Sequence, residues 1–106
     1  MTGFDEREKS FERKFQQDQE LAFRVRARRN HLVGLWAAQQ MGMTGDAAEA
    51  YARQVLAGDL AHAGDHDVLD KIAKDFAAKN VALDATRIKL ELERCAGEAR
   101  RQLGGA

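Results

Sequence analysis

The sequence contains no proline and a single cysteine in 106 residues. Without proline, nothing interrupts a helical hydrogen-bond ladder or clashes with a preceding turn. With Cys95 as the one thiol, no disulfide can close within the chain, and a reducing, cytoplasmic setting is expected. Neither charge sign is in excess: Lys plus Arg and Asp plus Glu both number 17. A dedicated nucleic-acid binder normally has a basic surplus, and an anionic membrane surface attracts one, so neither partner is expected. No apolar run approaches membrane-spanning length, and the opening MTGFDEREK lacks the apolar stretch of a secretory signal. Membrane insertion and export are therefore not expected. Strand-like alternation of useful length and internal repeats are also missing. A glycine-rich phosphate loop, which follows a strand, is excluded with them.

What is present is a helix-forming composition of Ala, Glu, Lys, Arg, Leu and Gln, in a length that suits one small domain. From Asp5 to about Met41, Gly34 is the only glycine. As a single helix that stretch would span roughly 55 Å, more than a small domain is wide. Part of it must project, dock on a partner or lack order. Phe4, Phe11 and Phe15 recur at helical spacing on one face. The stripe weakens across Gln16, Gln17, Asp18, Gln19 and Glu20, then resumes at Leu21, Ala22, Val25, Leu32, Leu35 and Trp36. The polar gap divides an N-terminal segment, 1–18, from a body, 19–106.

Gly42, Thr44 and Gly45 mark a turn. Asp46 with Glu49 resembles a capping box opening a second helix, which runs through Tyr51 and Val55 to Ala57 with Gly58 as its C-terminal cap. Asp65 or Asp67 can cap a third helix bearing Val68, Leu69, Ile72 and Phe76 on one face and ending at Asn80. Asp84 caps a fourth, striped by Ile88, Leu92, Cys95, Ala99 and Leu103, before Gly104 and Gly105. The expected core is Leu21, Val25, Leu32, Leu35, Trp36, Tyr51, Val55, Val68, Leu69, Ile72, Phe76, Ile88, Leu92 and Leu103. The fold class is all-α, with three or four helices whose short loops make neighbours antiparallel.

Few constellations suggest chemistry. His62 and His66 are four apart beside Asp65 and Asp67. A committed zinc site needs three or four ligands, and a polar loop with a helix cap accounts for these residues. The run RVRARRNH sets Arg24, Arg26, Arg28 and Arg29 together, but consecutive helical residues point in different directions. A solvated flank whose long stems cover the core explains them better than a phosphate site. Cys95 lies on an apolar stripe, as a structural thiol does. No serine or cysteine has a base placed beside it by local spacing. An enzyme is not expected, and neither a cofactor nor a metal is implied.

The segment FDEREKSFERKF is the most unusual feature. Between its phenylalanines lie four acids (Asp5, Glu6, Glu8, Glu12) and four bases (Arg7, Lys9, Arg13, Lys14). Such a peptide is too short to be a stable helix alone in water. Its stripe could fill a groove on another protein, with the charges on the rim. It could equally extend the first helix and pack on the chain's own core, or pair with a second copy.

The stretches FDEREKSFERKF (4–15), ARRNHLVGLWAA (27–38), TGDAAEAYA (44–52), GDHDVLDKIAKDF (64–76) and LDATRIKLELERCAGEAR (83–100) resemble, in order and over nearly the whole chain, the zeta subunit of alphaproteobacterial F-type ATP synthases. The resemblance implies an ATPase inhibitor: a four-helix body with a mobile N-terminal segment. That segment becomes helical as it inserts at a catalytic α/β interface beside the rotating γ subunit, and so blocks hydrolysis. The partner-binding residues implied are Phe4, Arg7, Glu8, Lys9, Phe11, Glu12, Arg13, Lys14 and Phe15. The phenylalanines would be buried anchors, while the charges set register. The partners are the α, β and γ subunits of the catalytic head. The free chain is expected to be a monomer, and the bound chain peripheral to the inner membrane through the synthase. A contrasting function is a helical binding module with weak or no inhibition that senses a nucleotide or a protein partner.

Overall fold

A computed structural model describes the backbone of residues 2–61 and 65–104, and the side chains of 12–58 and 65–104. Four helices follow one another: α1 (Thr2–Gln40), α2 (Gly45–Ala61), α3 (His66–Ala78) and α4 (Ala85–Gln102). No strand occurs among the described residues. Helix α1 has 39 residues and the others 17, 13 and 18. The mismatch sets the shape, which extends 66 × 23 × 21 Å. A 39-residue helix is roughly 58 Å long, whereas its neighbours reach only roughly 20–27 Å. They cover the C-terminal part of α1 and leave the rest uncovered. Residues 12–24 are all exposed, and burial begins at Val25. The polar run Gln16–Glu20 does not interrupt the helix.

The body is closed by α2 and α4 packing on α1, with α3 between them on the far side. Val33, Val55, Val68, Ile72, Phe76, Ile88 and Cys95 are almost completely buried. Trp36 meets Phe76 edge-to-face at 5.7 Å between ring centroids. Much of the interface is alanine: Ala37, Ala38, Ala52 and Ala99 have no exposure at all. Small side chains let backbones approach closely, most of all at Gly34, where a Cβ would lie 2.8 Å from the Ala52 Cα.

Several local signals act as read and others do not. Asp84 accepts a hydrogen bond from the Arg87 amide at 3.0 Å and caps α4. Asn80 ends α3 in the left-handed region at φ 58°, which asparagine tolerates better than most residues. Asp46 lies inside the first turn of α2 rather than at its cap, and Glu49 turns away to His31, so no capping box forms. Helix α2 continues through Gly58 to Ala61, because Gly58 does not adopt the left-handed conformation that would stop it. Asp65 holds the N-cap position of α3 without a side-chain cap, its carboxylate being engaged by Arg29. Leu21, expected in the core, is 38 % exposed and lines an open groove with Ala96 and Arg100 of α4.

Candidate functional site

A continuous helix fixes where the N-terminal residues stand relative to one another. At 100° per residue, positions 4, 11 and 15 fall within about 40° of arc on α1. The backbone is helical at all three. The side chains of Phe4, Arg7, Glu8, Lys9 and Phe11 lie outside the described residues. Those of Glu12, Arg13, Lys14 and Phe15 are exposed, and Phe15 shows 58 % of its surface to solvent. An aromatic ring left so open is not part of the chain's own core.

The same face runs on into the body. Ala22, Val25 and Arg29 lie within about 60° of the phenylalanine stripe. They line a groove of about 550 Å³ between α1 and α4, closed on the far side by Ala96 and Arg100. Arg29 is the most constrained of these side chains. Its guanidinium reaches the Asp65 carboxylate at 2.9 Å and also donates to the buried Asn30 side-chain oxygen at 2.9 and 3.0 Å. The Arg29 side chain is 12 % exposed and that of Asp65 59 %. This strut ties the start of α3 to α1 where the body ends and the projecting helix begins.

Two other polar links hold the helices in register. His31 and Glu49 meet at 2.9 Å between α1 and α2. The Tyr51 hydroxyl donates to Asp75 at 2.8 Å between α2 and α3, with Lys71 at 3.1 Å from the same carboxylate oxygen. Burial, and then the hydrogen bond and charge of Asp75, push the Tyr51 hydroxyl well above the usual tyrosine range. The Cys95 thiol is likewise raised, first by burial. These shifts belong to buried packing residues rather than to a reactive cleft.

Sequence reasoning on the arginine run was partly right. Arg24 and Arg28 are exposed flank residues, but Arg29 is a structural strut. His62 lies outside the described residues, and no cluster of metal-ligating side chains occurs among those described. No described helix is long and apolar enough to cross a membrane. One feature was missed: Phe23, 57 % exposed, faces away from the stripe of Phe15 and Ala22. Its signal in the sequence was an aromatic residue off the apolar periodicity.

The family of ATPase inhibitor subunit zeta matches residues 1–102 of the chain. A structure solved in solution by NMR is 36 % identical, covering 78 % of this chain and 94 % of the other, with a TM-score of 0.69. No curated protein matches.

Proposed function

The chain belongs to the ATPase inhibitor subunit zeta family and is an inhibitor subunit that binds the ATP synthase; from that premise, we propose that residues 4–15 of α1 are the inhibitory wedge. In this reading the segment enters a catalytic α/β interface beside the γ subunit, while the four-helix body remains outside. A cleft that must open and close for turnover cannot do so around an inserted helix. The chain contributes binding and obstruction, and no catalytic group of its own.

The observation that supports this reading is the exposed stretch 12–24 of α1. It bears Phe15 in the open, on the face shared by positions 4 and 11. Burying a phenylalanine contributes about 1.5–3 kcal/mol. Three such anchors would exceed the several kcal/mol needed to order a segment of this length on its target. Arg7, Glu8, Lys9, Glu12, Arg13 and Lys14 flank the anchors and would set orientation by pairing with charges on the cleft walls.

The test is ATP hydrolysis by the purified catalytic head, titrated with the full chain and with a chain lacking residues 2–15. Inhibition by the full chain alone is expected, with the shortened chain retaining the helical circular-dichroism signal of the body. Equal inhibition by both would move the wedge out of this segment.

A further inference from the structure

On the side of α1 opposite the phenylalanine stripe, a second groove of about 550 Å³ lies between α1 and α2. Its apolar lining comes from Phe23, Leu56 and Leu103, and Phe23 is 57 % exposed. Arg24, Arg28 and Arg53 surround that lining. All three are exposed, and none has an ion-pair or hydrogen-bond partner among the described residues. Elsewhere on the body several arginines have carboxylate partners. Arg29 is paired to Asp65, Arg87 and Arg94 to Glu91, and Arg101 to Glu98. The one acid lining this groove, Glu49, is engaged by His31. In a chain of zero formal net charge, three arginines against the single Glu49 carboxylate leave a local positive excess beside an apolar floor.

We propose that this groove is a second docking surface, which takes an acidic amphipathic helix of the ATP synthase. Apolar residues of that helix would cover Phe23, Leu56 and Leu103, and its carboxylates would pair with Arg24, Arg28 and Arg53. Arginine suits this role because its planar guanidinium donates two parallel hydrogen bonds to a carboxylate. Nucleic acid would also meet the arginines, but the chain has no basic excess overall, and Leu56 and Leu103 offer a base no hydrogen bond. The proposal rests on the reading of the chain as an inhibitor subunit and adds an anchor that the wedge does not supply. Because the groove and the stripe face opposite ways, the two contacts must be made with different elements of the enzyme.

The experiment uses the full chain carrying Arg24→Glu, Arg28→Glu and Arg53→Glu together, titrated against ATP hydrolysis by the purified catalytic head. Circular dichroism confirms the fold, which the exposed, unpaired positions should leave intact. The expected result is a rise of at least about tenfold in the half-maximal concentration, with full inhibition still reached at saturation. A chain with the three arginines changed to lysine should recover only part of the potency, since the charge is kept but the paired hydrogen bonds are lost. Potency of the glutamate variant equal to that of the unaltered chain would overturn the proposal. So would self-association of the unaltered chain that the glutamate variant loses, since the groove would then belong to a second copy. Failure of the unaltered chain to inhibit at all would instead sink the inhibitor reading on which the proposal rests, and the proposal with it.

Discussion

Replacing Gly34 by alanine isolates the closest helix–helix approach in the body. The added Cβ would lie 2.8 Å from the Ala52 Cα and 3.2 Å from its Cβ. Ordinary carbon–carbon contact begins near about 3.5 Å, and the obstructing atom is backbone, so α1 and α2 must separate. Overpacking of this kind costs about 1–3 kcal/mol. Against it stands the gain of replacing glycine in a helix, about 0.5–1 kcal/mol. Gly58 and Gly97 provide the control. Both are helical, and an added Cβ at either meets nothing within 4 Å. Gly58→Ala and Gly97→Ala should therefore show the propensity gain alone. The difference between them and Gly34→Ala then reports the steric cost by itself, about 1–3 kcal/mol. At about 4–8 °C per kcal/mol for a domain of this size, the melting temperatures should differ by at least about 4 °C. Thermal unfolding followed by circular dichroism measures all three variants. A Gly34→Ala chain stabilised as much as Gly97→Ala would show that the helices do not approach as described.

Two further substitutions probe the polar links. Tyr51→Phe should cost about 0.5–1.5 kcal/mol in urea unfolding at neutral pH through loss of the bond to Asp75. Because the folded hydroxyl titrates above its unfolded value, the folded state holds the proton more tightly. That contribution is complete below pH of about 10 and declines as pH rises beyond it; the decline should be smaller in Tyr51→Phe, and an unchanged alkaline profile would refute the assignment. Arg29→Ala should destabilise by about 1–3 kcal/mol, because it strips two donors from the buried Asn30 side chain. Asp65→Ala removes only the more exposed ion-pair partner and should cost less than about 1 kcal/mol. Equal losses on chemical denaturation would locate the energy in the ion pair instead.

The helices were legible because their punctuation is local. Asp84, Asn80 and the glycines at 42 and 104 act through their own backbone and the next turn. Gly58 misled for the same reason. Glycine permits a left-handed stop without requiring one, and the tertiary fold continues α2 past it. The core was read from large residues, and Val68, Ile72, Phe76, Ile88 and Leu92 are indeed buried. Ala37, Ala38, Ala52 and Ala99 were underweighted, because alanine says little until a neighbouring helix is known to pass close by. Leu21 was overweighted, since periodicity gives a face but not how far a neighbour extends along it. The face shared by positions 4, 11 and 15 followed from spacing alone. The Arg29–Asp65 strut, 36 residues apart in sequence, and the arginine-ringed groove between α1 and α2 depend on how the helices assemble. No spacing rule could have placed either.

The unbroken helix α1 also acts as a lever. Gly34, its tightest contact with the body, is the fulcrum, and Phe4 lies thirty residues away along the same rod. That is a moment arm of about 45 Å, so a tilt of about 10° at the fulcrum would sweep the tip by about 8 Å. A displacement of that size exceeds the width of an aromatic ring. On the proposed reading of residues 4–15 as the wedge, the alanine-rich seam between α1 and α2 would govern the aim of the segment as well as the stability of the body. Mutations there could miss the target while leaving every residue of the segment intact.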